Sequence, residues 1–395
     1  MKTIAIIMSE MDTGGVSEAL IEMMRRFDYS RFDVSLWVAH GIGAEQNRID
    51  PRVRVRYWGS VDPRKELINQ LKRGLFLKFC RSIFYRVLGR IYINCNDKHT
   101  FYCVRSLSDI NAEAYDYVIC YQGVSPLAIP NALYRIHGRR KILWIHGDLG
   151  RENKYMPFCK KLYQQFDWAI GVSQAACELF TEQYSFPKDR TTVFHNIVDT
   201  ERILRLAEES HKEVIKHPAI VTVGRLSPEK GQIMVPAAMR MLMDSGIEAW
   251  WYLIGDGSER GGIESEIRRQ GVMDRVILLG NKANPFSYVR CADIYVQTSF
   301  TEGWCLTVQE ARLLRKPVIS TPLPAILEQI TDGIDGLICD DISSEGLSRA
   351  VSLLLSDEVL RSRLAEGMNL SLEEHDEKME YLYSIFEKID RRDPI

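Results

Sequence analysis

The sequence predicts an α/β protein made of two Rossmann-like domains facing each other across a cleft, and three observations carry that expectation. Short β-branched and aromatic runs alternate with longer helical stretches along most of the chain, the mark of a parallel sheet covered by helices on both faces. The length of 395 residues, 46% of them apolar, is enough for two cores at roughly 150 residues per domain. A polar stretch at 196–217 interrupts the alternation before Pro218, after which it resumes.

Taken in order, the first half places strands at 3–8, 33–39, 53–58, 116–121, 141–145, 168–172 and 192–195, with helices between them such as 16–27 and 174–184. The second half places strands at 219–223, 250–254, 276–279, 294–297 and 317–320, each followed by a helical segment. A last helix over 376–390 has Tyr381, Leu382, Ile385 and Phe386 at amphipathic spacing. The expected division is 1–198 plus a returning C-terminal helix at 376–395, and 199–375.

Composition removes several function classes. Lys plus Arg number 51 against 53 Asp plus Glu, a net charge of −2, so no overall field draws the chain to nucleic acid. The N-terminal apolar run from Ile4 to Met8 is short and followed by Glu10 and Asp12, unlike a signal peptide. No apolar run approaches the roughly 18 residues of a membrane span. Nine scattered cysteines without a CxxC pair signal neither a disulfide framework nor a zinc site. A reduced, cytoplasmic enzyme is the expectation.

One segment departs from that balance. Over 64–94 there are eight Lys or Arg residues and one acid, Glu66, a local charge of +7. Apolar residues including Leu67, Leu71, Leu75, Phe79, Ile83, Phe84, Val87 and Leu88 recur among them near a helical period. Such a helix can lie peripherally on an anionic membrane surface. The alternative is a helix whose apolar face packs on the first domain and whose basic face is merely solvated.

In open parallel sheets ligands bind beyond the carboxyl ends of the strands, so the loops after the strands are where chemistry is sought. After the first strand, Gly14 and Gly15 lead into a helix, letting backbone amides approach a ligand, although a plain tight turn reads the same way. The run VGRLSPEKGQ puts Arg225 after a strand and Lys230 five residues on; two cations there suit a diphosphate, or are ordinary solvated loop charges. In SFTEGWCLTVQEARLL, Glu302 lies in a loop and Glu310 on the following helix. The amides around Gly303, Cys305, Leu306 and Thr307 would form a helix start attractive to phosphate. Glu310 has the acceptor capacity for a vicinal diol such as a ribose; acids that favour a helix N-terminus are the plainer explanation. His146, in WIHGD at a strand end, can donate to a sugar oxygen at neutral pH or be purely structural. LIGDGSERGG has glycines spaced GxGxxxG, a poor match to a dinucleotide fingerprint.

Four ordered motifs, VGRLSPEKGQ, LIGDGSER, NPFSYVRCADIYVQTSFTEGWCLTVQEARLLRKPVIST and LEQITDGIDGLIC, spanning about 120 residues, resemble the donor-binding half of retaining glycosyltransferases of family 4, which have the GT-B fold. Glu302 and Glu310 match the family's Glu-x7-Glu signature. The first half resembles it more loosely, through Gly14-Gly15, WIHGD and VSQAACELF. The resemblance implies an acceptor-binding first domain and a nucleotide-sugar-binding second domain. It implies that Arg225 and Lys230 bind the donor diphosphate and Glu310 the ribose, that Glu302 and His146 contact the transferred sugar, and that Gly15 offers its amide. It further implies no cofactor and no metal, and no Asp-x-Asp pair occurs in the chain. No residue is assigned as a nucleophile. Trp304 and Cys305 stand where the family often has Phe and Gly, which narrows the space beside the sugar.

The expected function is therefore retaining transfer of a sugar from a nucleoside-diphosphate donor, UDP rather than GDP, to a glycan acceptor, lipid-linked given the basic segment, in bacterial surface polysaccharide assembly. Two rivals remain: a UDP-sugar epimerase of the same fold, and a non-catalytic scaffold subunit. A nicotinamide oxidoreductase ranks last, because the glycine spacing after Ile254 is wrong.

Overall fold

The structure is a computed structural model that describes residues 1–11, 14–39, 43–58, 76–91, 104, 114–123, 125, 127–147, 161–211, 213–368 and 375–392. Asp12, Thr13, Asp148 and the 64–75 and 92–94 parts of the basic segment lie outside the described residues. The chain divides into two compact units, Met1–Ile197 with His375–Ile395, and Val198–Glu374.

The first unit runs β1 (Lys2–Met8), α1 (Gly15–Arg26), β2 (Phe32–Val38), β3 (Arg54–Tyr57), α2 (Phe76–Ile91), β4 (Tyr115–Cys120), β5 (Gly138–Ile145), β6 (Trp168–Gly171), α3 (Gln174–Tyr184) and β7 (Thr191–Val193). The strands pair in the order β3-β2-β1-β4-β5-β6-β7, and every pairing is parallel. Ile4 to Met8 of β1 are fully buried, as expected of a central strand covered on both faces, where the apolar run is continuous rather than alternating. Helix α3 starts at Ser173, whose Oγ accepts from the Ala176 N–H at 3.0 Å, satisfying one orphan donor of its first turn. The predicted strand 192–195 stops at Val193. Phe194 still donates to the Gly171 carbonyl, but the His195 ring pairs with the Val172 carbonyl at 3.0 Å.

The second unit runs α4 (Thr200–Ala207), β8 (Ala219–Val223), α5 (Val235–Asp244), β9 (Trp250–Ile254), α6 (Arg260–Gln270), β10 (Val276–Gly280), α7 (Phe286–Cys291), β11 (Ile294–Gln297), α8 (Leu306–Leu313), β12 (Val318–Ser320), β13 (Leu337–Ile338), α9 (Ser344–Ser356) and α10 (Glu358–Gly367). Its six parallel strands are ordered β10-β9-β8-β11-β12-β13. The core of this sheet gathers Ile220, Trp251, Leu253, Val296 and Ile319 against Val235, Met239 and Leu347 of the covering helices. The Trp251 indole donates to Thr222 Oγ1 (3.0 Å), whose own hydroxyl donates to the Val296 carbonyl, so the one polar atom of the largest core side chain is satisfied. In both sheets the strand order reverses once, between β1 and β4 and between β8 and β11. Those are the topological switch points at which such sheets open a crevice.

The last helix, α11 (His375–Asp390), packs on the first unit. Phe386 stacks on Tyr117 with centroids 4.6 Å apart, and Tyr383 stacks on Phe32 at 4.7 Å. Lys2 Nζ donates to both Asp390 (2.6 Å) and the Tyr117 hydroxyl (2.9 Å), and Tyr117 donates to Asp390 at 2.8 Å. Burial, with help from Asp390, pushes the Tyr117 hydroxyl up to about 12. Leu382, Ile385 and Phe386 are buried as the amphipathic spacing predicts, but Tyr381 is exposed. The packed face instead recruits Met379, Tyr383 and Ile389, because the stripe drifts around a helix of 3.6 residues per turn.

Candidate active site

At the switch point of the second unit, Arg225 and Lys230 lie on the loop after β8 and Glu302 on the loop after β11. Beyond β8, Arg225 is exposed and its carbonyl accepts from Gln232 Nε2 at 2.9 Å. The loop then turns through Pro228–Lys230 into Gly231, which has φ +64. That is the left-handed region, and a Cβ there would run into the Thr298 carbonyl oxygen, so only glycine brings this loop so close to the one beyond β11. Two further bonds join the loops: Thr298 Oγ1 donates to the Lys230 carbonyl (2.7 Å), and Phe300 N–H donates to that of Glu229 (2.8 Å).

This arrangement delivers Lys230 to Glu302. Lys230 Nζ lies 2.7 Å from Glu302 Oε1, and the two side chains are 26% and 8% exposed. Burial works against the ammonium, yet the charge of Glu302, with Cys305 and Glu229 adding, outweighs it and holds the Lys230 pKa above the ordinary lysine value. A fixed, protonated amine with further donors to offer is suited to an anionic ligand.

The same carboxylate oxygen accepts from Ser299 Oγ (2.6 Å) and Gln297 Nε2 (3.1 Å). Gln297 is 1% exposed. Its Nε2 also donates to Ser299 Oγ (2.7 Å), and its Oε1 accepts from the Tyr295 hydroxyl (2.8 Å) and Thr307 Oγ1 (3.1 Å). Tyr295 is fully buried. Burial raises its pKa well above the usual value, Cys305 adds to that, and Glu310 and Glu302 push the same way, so both signature glutamates act on one hydroxyl.

Helix α8 begins at Cys305, which has φ −82, a conformation that does not require glycine. Its thiol is buried, lies 3.3 Å from Thr307 Oγ1, and is pushed up to about 12, chiefly by burial, which makes it a packing group rather than a nucleophile. The Gln329 amide, oriented so that both its ends are satisfied, accepts from the Cys305 N–H (3.1 Å) and donates to the Cys305 carbonyl (3.2 Å). The expectation that the Cys305 amide is open to phosphate is thereby corrected. The first-turn amides of Leu306 and Thr307 keep the lack of intrahelical partners common to helix starts. Gly303 is buried, and Trp304 Nε1 donates to Gln309 Oε1 at 3.0 Å.

The glycine-rich turn after β9 serves this site by packing. Gly255 has φ +142, and a Cβ there would strike the Gly224 carbonyl. Leu226 N–H donates to the Asp256 carbonyl (3.0 Å) and Glu259 N–H to the Leu226 carbonyl (2.9 Å), so the turn holds the Arg225 loop rather than acting as a dinucleotide loop.

The first unit supplies the other candidates. Gly14 precedes α1, and Gly15, its first residue, is exposed. His146 follows β5 with its ring edge-on to Tyr121 at 4.4 Å. Burial lowers its pKa to about 3, only partly offset by a bond to the Tyr121 backbone, while Nε2 is buried and without a hydrogen-bond partner. The bonded nitrogen is therefore Nδ1–H, and Nε2 is a bare acceptor. His146, Gly14 and Gly15 belong to one unit and Arg225, Lys230, Glu302 and Glu310 to the other.

Sequence reasoning missed Gln297, Ser299 and Gln329. The available signal for Gln297 was a polar residue closing the otherwise apolar strand IYVQ. Gln329 gives none, since its partner is 24 positions away.

Residues 13–202 match the family described as Glycosyltransferase Family 4, and residues 206–369 match Glycosyl transferases group 1. Among solved structures, Anabaena HepE in complex with UDP-glucose superposes with a TM-score of 0.70 at 17% identity, covering 99% of this chain and 100% of that one. The chain has the GT-B fold and is related to both of these glycosyltransferase groups. Staphylococcus aureus TarM, solved as a mutant in complex with Fondaparinux, alpha-GlcNAc-glycerol and UDP, shares the fold at a TM-score of 0.72 and 13% identity, over 98% of this chain and 100% of that one. The lipopolysaccharide core biosynthesis glycosyltransferase LpsE of Rhizobium meliloti is 28% identical over 180 residues, 45% of this chain and 52% of that protein. The alpha-D-kanosaminyltransferase of Streptomyces kanamyceticus is 28% identical over 152 residues, 38% of this chain and 39% of that protein. The chain thus spans about half the length, or less, of these curated relatives.

Proposed function

We propose that this GT-B glycosyltransferase is a retaining enzyme of family 4 that transfers a sugar from a UDP-sugar to a glycan acceptor without a metal ion. The observation that carries the reading is the protonated Lys230, fixed against Glu302 at the switch point between β8 and β11. Lys230, exposed Arg225 and the Leu306–Thr307 helix start neutralise the leaving diphosphate, as preorganised cations and amides do best where water is scarce. Glu310 accepts from the ribose hydroxyls. Glu302 accepts from the transferred sugar; in the first unit, His146 and the backbone at Gly14 and Gly15 are the groups offered to a ligand. The acceptor hydroxyl attacks the anomeric carbon on the face from which the diphosphate departs. The sugar–phosphate C–O bond breaks with its electron pair on the β-phosphate, which takes the acceptor proton, so the anomeric configuration is kept.

The acceptor is a lipid-linked glycan of bacterial surface polysaccharide assembly, and the enzyme works on the cytoplasmic face of the membrane. Supporting this, α2 exposes Cys80, Ile83, Phe84, Val87 and Ile91, an apolar stripe at helical spacing inside a segment of charge +7. An apolar face among cations suits an anionic bilayer surface. Among the described residues no helix is long and apolar enough to cross a membrane.

The test is incubation with UDP-glucose and UDP-N-acetylglucosamine and an undecaprenyl-diphosphate-linked sugar, reading UDP release and the anomeric configuration of the product by NMR. An α-linked product from the α-configured donor supports the reading. A β-linked product contradicts retention, and interconversion of the donor sugars without acceptor favours an epimerase.

A further inference from the structure

Glu302 is held unevenly. Its Oε1 accepts from Lys230 Nζ, Ser299 Oγ and Gln297 Nε2, whereas no hydrogen bond reaches Oε2 among the described residues. One cation would balance the charge, so the two neutral donors need another explanation. Gln297 is itself over-determined: both of its N–H groups and both acceptor directions of its Oε1 are used, which leaves its amide one orientation. Two of those partners, Tyr295 and Thr307, sit on the strand before and the helix after the glutamate.

We propose that Gln297 and Ser299 are positioning residues for Glu302: they keep its Oε1 occupied when a bound diphosphate draws Lys230 away, so that Oε2 stays aimed at the sugar. The inference rests on the glycosyl-transfer reading and deepens it. A buried carboxylate that lost its only cation would protonate or swing toward another donor. With two neutral donors left on one oxygen it does neither, and Lys230 can serve the diphosphate without disarming its neighbour. Both side chains are buried, Gln297 at 1% and Ser299 at 0% exposed, so their effect falls on the sugar-dependent step and spares binding of the nucleotide alone.

The test uses the full chain with Gln297→Met, which keeps side-chain length but neither donates nor accepts strongly, and Gln297→Glu. Calorimetry with UDP is compared with UDP-sugar turnover, and melting temperatures are recorded for both variants. Gln297→Met is expected to lower kcat/KM about 10²-fold, the scale of a misplaced catalytic group, with UDP affinity unchanged. Gln297→Glu sets a second carboxyl against Glu302, and the two share one proton. Protonated, that carboxyl donates as the amide did, so turnover should recover as pH falls from about 8 to about 6, relative to wild type, a recovery that Gln297→Met cannot show. Wild-type turnover in Gln297→Met, or equal loss of UDP affinity and turnover in both variants with no pH-dependent recovery, would overturn the inference while leaving the transfer reading intact. A wild-type protein that binds UDP but turns over no UDP-sugar would overturn both.

Discussion

The switch point of the second sheet and the carboxyl end of the first differ in how far they are finished. Around β8 and β11 every polar side chain of the central cluster meets another: Lys230 with Glu302, Gln297 with Ser299, Tyr295 and Thr307. Beyond β5, His146 presents a buried Nε2 with no partner, and two glycines supply backbone alone. A site prepared by its own residues suits a constant ligand portion, such as a diphosphate and ribose. An unmet acceptor suits the portion that varies, a hydroxyl of the sugar or glycan.

If that contrast is right, damage to the finished region is the most costly. Lys230→Ala removes the cation and leaves Glu302 buried without it; turnover is expected to fall by about 10²–10³-fold, the scale of losing one preorganised charge-stabilising group, with UDP affinity falling too. Steady-state kinetics and calorimetry together read both. Next comes Gly231→Ala. It removes no functional group, yet its Cβ meets the Thr298 carbonyl at a φ of +64, so about 1–3 kcal/mol of strain should lower the melting temperature and UDP affinity in step. A variant that melts earlier but binds UDP normally would show that the two loops need not be so close.

In the first unit, replacing Phe84 and Val87 of the α2 stripe together with Glu should weaken sedimentation with phosphatidylglycerol vesicles by roughly tenfold or more, leaving UDP binding untouched. Unchanged sedimentation would show that the stripe serves something other than a bilayer. The smallest effect is on pH dependence. His146 is neutral in the folded protein down to about 3, while an unfolded histidine takes up its proton near 6.5. The unfolded state therefore binds more protons between those values, and stability falls as pH drops through that window. His146→Asn should flatten that slope in acid-denaturation curves, and turnover should show no imidazole titration near neutrality.

How much of this was legible in the sequence depends on whether the cause is local. Strands 219–223 and 250–254 and helix 174–184 coincide with β8, β9 and α3, because Gly224, Gly255 and the Ser173 cap mark their boundaries, and 294–297 coincides with β11 as a β-branched and aromatic run closed by polar Gln297 and Thr298. The two-residue β13 was not legible, since Leu337 and Ile338 offer no periodicity. Lys230 and Glu302 stood out singly through motif spacing, but their pairing depends on Gly231 touching Thr298, 67 positions away. The Gln329 clasp on Cys305 and the recruitment of Met379, Tyr383 and Ile389 in place of Tyr381 depend likewise on tertiary approach. A sequence pattern names the residues that reach a strand end. Which of them meet, and which stay open, is decided by loops crossing.

The most direct test of the prepared nucleotide site is calorimetric titration of the wild-type protein, Lys230→Ala and Glu310→Ala with UDP, GDP and ADP in the absence of added metal. Selective binding of UDP, weakened by both substitutions, is the expected result. No binding of any of the three nucleotides, or UDP binding that neither substitution alters, would contradict it and favour a scaffold that keeps the fold without the chemistry.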